Sequence, residues 1–289
     1  MRSPCSRRVV VCLALTASIL NACATSGARF SQEVATSFVT DEMWRLTTPE
    51  VEMYYPREHR DAALRIAARA GECVRTLRAK QSKTKSTDRA LLFVTSANLN
   101  NAYVSGQSGG EPLHSVVPLT TTSEVFHWFG LSNANAADIS CHEMFHYVHF
   151  EQVENFWRVV NAVFGPVFPS QAFLERWFSE GVAQYYEGRI RSAVGRPTSP
   201  IYRGVFESFV ASRHGRIGAG DLTVFQRELI PFSGAYLTSL PFVEWLAAKF
   251  GEEKLWELMN LQGRSFFSPL GATLRFKSIY KKSLGALID

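Results

Sequence analysis

The chain changes its hydrophobic period near residue 135, and this change limits its fold more than any other feature. Before it, short runs rich in β-branched and aromatic residues, such as VEMYY, ALLFV and HSVV, surround one amphipathic helical pattern. After it, apolar residues recur with helical spacing and strand patterns become rare. Strands followed by helices are typical of an α+β protein. The pattern therefore predicts two lobes with a cleft between them: a lobe with a mixed sheet over residues 44–134 and a helical lobe over residues 135–289.

The first 22 residues resemble a secretory signal. A basic head is followed by an apolar run from Val9 to Leu20, which is too short to span a bilayer comfortably. The run ends in LNAC, which resembles the bacterial lipobox, in which the cysteine is lipidated and becomes the mature N-terminus. We therefore expect a signal peptide at 1–22, lipidation of Cys23, and a polar tether to residue 43. An ordinary signal and an uncleaved membrane helix are the alternatives.

Lipidation of Cys23 would attach the protein to a membrane of the cell envelope. Ala24, where an aspartate would favour the inner membrane, indicates the periplasmic side of the outer membrane. Loss of the signal lowers the formal net charge from +5 to +2, because three arginines and no acids leave with it. The basic cluster from Arg78 to Arg89 is typical of a solvated loop, so we expect no nucleic-acid partner.

Five cysteines are present, and the predicted processing leaves only Cys73 and Cys141 as free thiols. These two could form a single disulfide in an oxidising envelope. Cys141 lies in an apolar helical pattern, which favours a small buried side chain instead. We therefore predict a buried thiol and no disulfide framework.

The stretch ISCHEMFHYVHFEQ, from Ile139 to Gln152, carries three histidines and a glutamate in an apolar helical pattern. Residues four apart share one face of a helix, so His142 and His146 present their rings to the same side. That spacing suits the binding of one zinc ion by two imidazoles. Glu143 lies beside this face, where its carboxylate could act as a general base on a water. The alternative is a core helix with satisfied histidines.

A third metal ligand is predicted in RWFSEGVAQYYEG, from Arg176 to Gly188. Glu180 and Glu187 fall on one stripe of this helix, two turns apart. Gly181 costs a helix roughly 1 kcal/mol, which indicates that another backbone approaches closely there.

Together, HEMFH and WFSEGVAQYYE resemble the gluzincin metallopeptidases, in which the glutamate of a W-x-x-E-G-x-A-x-Y-x-E helix completes a His, His, Glu zinc site. The resemblance implies that His142, His146 and Glu180 bind Zn²⁺ and that Glu143 is the catalytic base. It also implies a two-lobed, thermolysin-like fold around the HExxH helix, similar to the peptidase MA-like domain of bacterial envelope proteins. The chain has no G-x-M-E-N stretch, and its gap between the second histidine and the glutamate is longer than in the aminopeptidase N branch. Aminopeptidase specificity is therefore not implied.

The stretch GAYLTSLPFVEWLAAKFG, from Gly234 to Gly251, resembles a later helix of the same family. Tyr236 falls at the position of the tyrosine that donates a hydrogen bond to the tetrahedral oxyanion. No spacing rule independent of the family places this residue in the cleft. An ordinary buried or interfacial tyrosine is the alternative.

Three further residues are weaker candidates. His149 shares the stripe of the other two histidines but lies about 10.5 Å of helical rise beyond His142, so we expect it to orient or pack against the site instead of binding the metal. Glu187 would accept the N–H of a ligand imidazole, or else be an exposed helix acid. His214 lies in a loop pattern, and we assign it no role.

The resemblance therefore implies a zinc-dependent metallopeptidase, anchored by lipid at the bacterial envelope, that hydrolyses peptides or proteins. An extended substrate would add to an edge strand of the sheet lobe, and the run containing Val116 and Val117 is our candidate. Two alternatives share the scaffold. One is an inactive, lipid-anchored binding or assembly protein, and the other is a zinc hydrolase of non-peptide amides.

Overall fold

The computed structural model describes residues 28–81, 86–99, 101–105, 111–119, 136–153, 155–164, 175–190, 195–223, 234–264 and 271–288. The predicted signal peptide and Cys23 lie outside these residues, so lipidation stays a prediction. The predicted tether differs from the structure in its second half, where Gln32–Thr40 form a helix with a fully buried Val34. Phe30, just before it, packs edge-on against Phe93 with ring centroids 4.8 Å apart. This segment is therefore part of the folded body.

Five strands form one mixed sheet: β1 (Met43–Thr47), β2 (Val51–Pro56), β3 (Ala90–Thr95), β4 (Tyr103–Ser105) and β5 (His114–Pro118). Their order across the sheet is β1-β2-β3-β5-β4. The pairs β2/β3 and β3/β5 are parallel, whereas β1/β2 and β5/β4 are antiparallel. The prediction that the strand with Val116 and Val117 is an edge is wrong, because β5 is paired on both sides. β4 is the edge strand.

Twelve α-helices are described: α1 (Gln32–Thr40), α2 (Arg60–Lys80), α3 (Ala136–Phe150), α4 (Asn155–Phe164), α5 (Arg176–Ile190), α6 (Pro200–Ser212), α7 (Ala219–Thr223), α8 (Gly234–Leu237), α9 (Ser239–Phe250), α10 (Glu253–Arg264), α11 (Gly271–Tyr280) and α12 (Gly285–Ile288). Every described strand precedes residue 119, and helices follow from Ala136 onward. A mixed α+β fold is therefore confirmed. Among the described residues, no helix has the combination of length and apolar character that a bilayer span requires.

Helix α2 covers the sheet through an apolar stripe. Its positions at three- and four-residue spacing, including Ile66, Ala70 and Leu77, are buried. The stripe faces β2 on one side and α3 on the other, so the amphipathic pattern read from the sequence is confirmed.

Cys73 of α2 and Cys141 of α3 form a disulfide, with their Cα atoms 5.6 Å apart. The prediction of a buried free thiol is therefore wrong, although both residues are buried as expected. The buried stripes of α2 and α3 face each other, and this brings together two cysteines that are 68 residues apart in the chain. The bond ties the sheet half to the helical half at the residue before His142.

The centre of the helical half is the contact of α5 with α3 and α9. Nearly all of α3 and α5 is buried, including polar side chains. A Cβ atom at Gly181 would lie 2.8 Å from Ser239 Cβ and 3.0 Å from the Ser239 carbonyl oxygen. The predicted close backbone approach at Gly181 is confirmed, and its partner is the start of α9.

Candidate metal centre

Three donor atoms from α3 and α5 converge on one point. His142 and His146 lie one turn apart on α3, and their Nε2 atoms are 3.1 Å apart. Helix α5 places Glu180 opposite them, with Oε2 3.4 Å from each of these nitrogens. All three side chains are nearly buried. Among the described residues, these are the ones that form a group able to hold a metal ion.

The spacing of the three atoms fits a tetrahedral zinc ion. Zinc bonds to nitrogen and oxygen of about 2.0–2.1 Å set the edges of a tetrahedron at about 3.3–3.4 Å. The three observed separations lie between 3.1 and 3.4 Å. Glu180 Oε2 is buried and has no well-formed hydrogen bond among the described residues. Two imidazoles and a carboxylate are also ligands that zinc prefers, so the residues present fit the metal.

The hydrogen bonds behind the two rings direct their Nε2 lone pairs toward this point. His142 Nδ1 donates to Glu187 Oε1 over 2.7 Å, and an ionised carboxylate can only accept. The neutral form of the ring, which is the form that can bind a metal, therefore carries its proton on Nδ1 and its lone pair on Nε2. His146 Nδ1 lies 3.0 Å from Ser179 Oγ, a hydroxyl that can accept a hydrogen bond from the ring N–H or donate one to the ring nitrogen.

The electrostatics of the group favour a positive charge between the donors. Burial by itself lowers the pKa of His142, but the carboxylates of Glu180 and Glu187 raise it to about 10. Burial would raise the pKa of Glu180, yet the neighbouring imidazoles of His146 and His142 bring that pKa well below its ordinary value. A carboxylate that stays ionised between two rings attracts a proton or a metal cation.

Glu143 lines the same cavity, which has a volume of about 320 Å³. The walls come from α3 and α5, from Tyr236 of α8, and from the edge strand β4 with the two residues before it. Burial raises the pKa of the Glu143 carboxyl, and the nearby rings of His142 and His146 lower it by a smaller amount. A carboxyl whose pKa moves toward neutrality is suited to exchanging a proton with a substrate.

Tyr236 lines the cavity. Arg176 Nη2 donates to that hydroxyl over 3.4 Å, and the guanidinium of Arg196 lies over the ring, 5.4 Å from its centroid. Burial raises the pKa of Tyr236 above its ordinary value. The phenol therefore keeps its proton and remains a hydrogen-bond donor.

The remaining sequence candidates lie in different places. Glu187 is buried directly behind His142. His149 is outside the converging group, and its ring packs beside Phe145 and Phe150 at centroid distances of 5.6 and 5.7 Å. Burial lowers the pKa of His149 to about 3, so the ring is neutral. His214 is exposed after α6 and does not line the cavity.

Sequence reasoning missed Ser179, Arg176 and Arg196. The first two are neighbours of Glu180 in the same quoted stretch, so a test of every polar residue on that helix turn would have found them. Arg196 follows a glycine in a turn outside any motif, and no signal in the sequence indicates its role.

Neither a scan of protein-family models nor a search of curated proteins finds a match for this chain. Solved structures do match. The crystal structure of an M1 zinc metallopeptidase from Deinococcus radiodurans matches with a TM-score of 0.45 and 16% identity, over 84% of this chain and 49% of that one.

A mutant form of the Deinococcus radiodurans enzyme matches with a TM-score of 0.45 and 15% identity, over 86% of this chain and 52% of that one. A two-domain M1 zinc metallopeptidase mutant bound to L-arginine matches with a TM-score of 0.44 and 14% identity, over 82% of this chain and 49% of that one. The chain thus spans about half the length of these structures.

Proposed function

We propose that this protein is a zinc-dependent metallopeptidase of the gluzincin type, with a thermolysin-like arrangement of its two halves around α3. The observation that carries the proposal is the convergence of His142 Nε2, His146 Nε2 and Glu180 Oε2 at separations of 3.1 to 3.4 Å. When bound by these residues, zinc would polarise the scissile carbonyl and acidify a water.

Four further side chains have a part in the proposed hydrolysis. Glu143 accepts the proton of the attacking water and returns it to the departing amine. Tyr236 donates a hydrogen bond from its hydroxyl to the oxygen on which negative charge develops. Glu187 and Ser179 hold the two imidazole rings in orientation from behind.

The proposed substrate is an extended peptide lying along β4. This strand pairs with β5 on one side and has no strand on its other side within the described part of the chain. Tyr103 and Val104 of β4 line the cavity. A peptide added at this edge would gain backbone hydrogen bonds and present a carbonyl to the metal centre.

The test compares the wild type with Glu143→Gln and a matched control, Glu207→Gln, on the exposed surface of α6. We expect about one zinc ion per chain in all three and casein cleavage that a chelator abolishes in the wild type. Loss of the general base should lower kcat by roughly 10²- to 10⁴-fold. Equal cleavage by Glu143→Gln and wild type would end the enzyme proposal, and zinc binding without turnover would favour the inactive binding protein.

We also propose that the protein is lipid-anchored at the cell envelope, through Cys23. The proposal is supported by the N-terminal pattern and by the Cys73–Cys141 disulfide, since disulfides persist in oxidising compartments. Fatty-acid labelling and membrane fractionation of Cys23→Ala test it. A variant that still carries the label and sediments with membranes would refute the assignment.

A further inference from the structure

The turn from Gly195 to Thr198 packs directly against the carboxylate of Glu187. Gly195 has φ 103°, and a Cβ atom there would lie 2.7 Å from Glu187 Cβ and 2.9 Å from Oε2. Only glycine adopts this backbone conformation readily and leaves room for the contact. The turn therefore places the next residue, Arg196, in contact with Glu187.

Arg196 holds both oxygens of that carboxylate. Its backbone N–H donates to Glu187 Oε2 over 3.0 Å, and its Nη1 donates to Oε1 over 2.7 Å. Oε1 is the same atom that accepts from His142 Nδ1. The side chains of Arg196 and Glu187 are only 12% and 8% exposed, so this charge-assisted pair is shielded from water.

The same guanidinium also contacts Tyr236, which lines the cavity. It lies over the Tyr236 ring at 5.4 Å from the centroid, within the range of a cation–π interaction. One side chain therefore connects the residue behind a metal ligand with the phenol that is to stabilise the oxyanion.

We propose that Arg196 is a positioning residue that orients His142 through Glu187 and sets the position of the Tyr236 ring. The inference rests on the proposed zinc peptidase function and adds a role for a residue outside the metal motifs. A purely structural tie between the turn and α5 would affect stability and leave zinc affinity and kcat unchanged in the folded protein. Measurements of zinc affinity and kcat therefore distinguish a positioning role of Arg196 from a purely structural one.

The first experiment measures zinc affinity by competition with a chromogenic chelator, for Arg196→Met, Glu187→Gln and the double variant. Loss of a residue that orients a ligand typically weakens metal binding 10- to 100-fold. We expect about 10-fold for Arg196→Met, because the backbone bond from residue 196 to Oε2 remains. Since Arg196 acts on zinc through Glu187, the double variant should bind zinc about as weakly as Glu187→Gln alone.

The matched control is Arg189→Met, on α5 two residues after Glu187. Its guanidinium lies over the Tyr185 ring at 4.6 Å and does not line the cavity. We expect zinc affinity equal to that of the wild type. Unchanged zinc affinity in Arg196→Met, or effects of the Arg196 and Glu187 changes that simply multiply, would overturn the inference.

The second experiment separates kcat from KM in peptide cleavage and adds Arg196→Lys, which protects the test against a poorly folded Met variant. A lysine can still donate to Glu187 but lacks the planar group that stacks on a ring. We expect it to restore zinc affinity to within about 3-fold of the wild type while kcat remains lowered about 10-fold at unchanged KM. Wild-type kcat in a folded Lys variant would refute the Tyr236 part of the inference.

The two proposals fail in different ways. A wild-type protein that binds no zinc and cleaves no peptide would remove the proposed function. A wild type that binds zinc and cleaves peptide, beside an Arg196→Met variant identical to it, would remove only the role of Arg196.

Discussion

Glu143 and Glu180 are two buried carboxylates of one cavity with opposite environments. Burial dominates at Glu143 and raises its pKa, whereas the rings of His146 and His142 overcome burial at Glu180 and lower its pKa. The first carboxylate is suited to exchanging a proton, and the second to remaining a charged ligand. Identical side chains thus receive different chemical roles from their neighbours alone.

His149 gives a prediction about stability and pH. Its pKa is near 6.5 in an unfolded chain and about 3 in the folded one, because the ring is fully buried. Below pH 6.5 the unfolded state therefore binds a proton that the folded state does not. As the pH falls from 6.5 towards 3, the free energy of unfolding decreases by about 1.4 kcal/mol per pH unit. The stabilising contribution of the neutral, buried His149 is fully present above pH 6.5.

Replacement of His149 by phenylalanine should remove this part of the acid sensitivity. Urea unfolding of the metal-free wild type and His149→Phe at pH 7.5 and pH 5 measures it. We expect the difference in unfolding free energy between the two pH values to be about 2 kcal/mol smaller in the variant. The same pH dependence in both proteins would contradict a buried, neutral ring.

At the scale of elements, α5 and α9 are in close contact beside Glu180, the proposed metal ligand. Gly181 follows the ligand directly, and its missing side chain lets the start of α9 approach to contact distance. The helix tolerates this glycine because the close packing of the two elements offsets its poor helix propensity. The proposed metal ligand Glu180 therefore lies one residue from a close packing contact.

Gly181→Ala should destabilise the protein. Alanine has a higher helix propensity than glycine, which favours the folded state by about 1 kcal/mol. Its Cβ atom, however, would lie 2.8 Å from Ser239 Cβ and 2.9 Å from Val243 Cγ2. Overpacking of this kind costs about 1–3 kcal/mol, so we expect a net loss in urea unfolding and weaker zinc binding. Gly204→Ala on α6, where a Cβ meets no atom within 4 Å, is the control and should be neutral or stabilising. Equal stability changes in both variants would refute the packing argument.

At the scale of the whole molecule, one covalent bond joins the two halves beside the candidate metal centre. The disulfide joins α2 and α3 across a sequence separation of 68 residues. Closing a loop of that length reduces the conformational entropy of the unfolded chain, which stabilises the folded state by about 4 kcal/mol at room temperature. The bond ends at the residue before His142. The same bond therefore contributes to stability and holds α3, which carries two of the proposed ligands, against α2.

The Cys73→Ala, Cys141→Ala double variant should lose about 2–4 kcal/mol of unfolding free energy. Urea unfolding of the wild type with and without a reductant measures the same loss independently. Both measurements should agree within error, and reductant should have no effect on the variant. A wild type whose unfolding is insensitive to reductant would show that the bond does not form.

Residue spacing within one helix was sufficient to predict part of the candidate metal site. His142 and His146 share a face because a helix repeats every 3.6 residues, and this geometry does not depend on the rest of the chain. The position of Tyr236 in the cavity was predicted only from a family resemblance, since no local spacing rule relates this residue to α3. The edge strand was misassigned because an apolar run such as HSVVP does not reveal how many neighbours it will have.

The sequence by itself determined the α+β class, the faces of α2 and α3, and the glycine contact at Gly181, because these follow from periodicity and backbone propensity within one element. Tertiary structure alone decided the Cys73–Cys141 pairing, the edge position of β4 and the contact of Arg196 with Glu187. Each of these joins residues through the packing of separate elements. Packing depends on the shapes of both partners, and a pattern along one segment carries no information about the surface that it will meet.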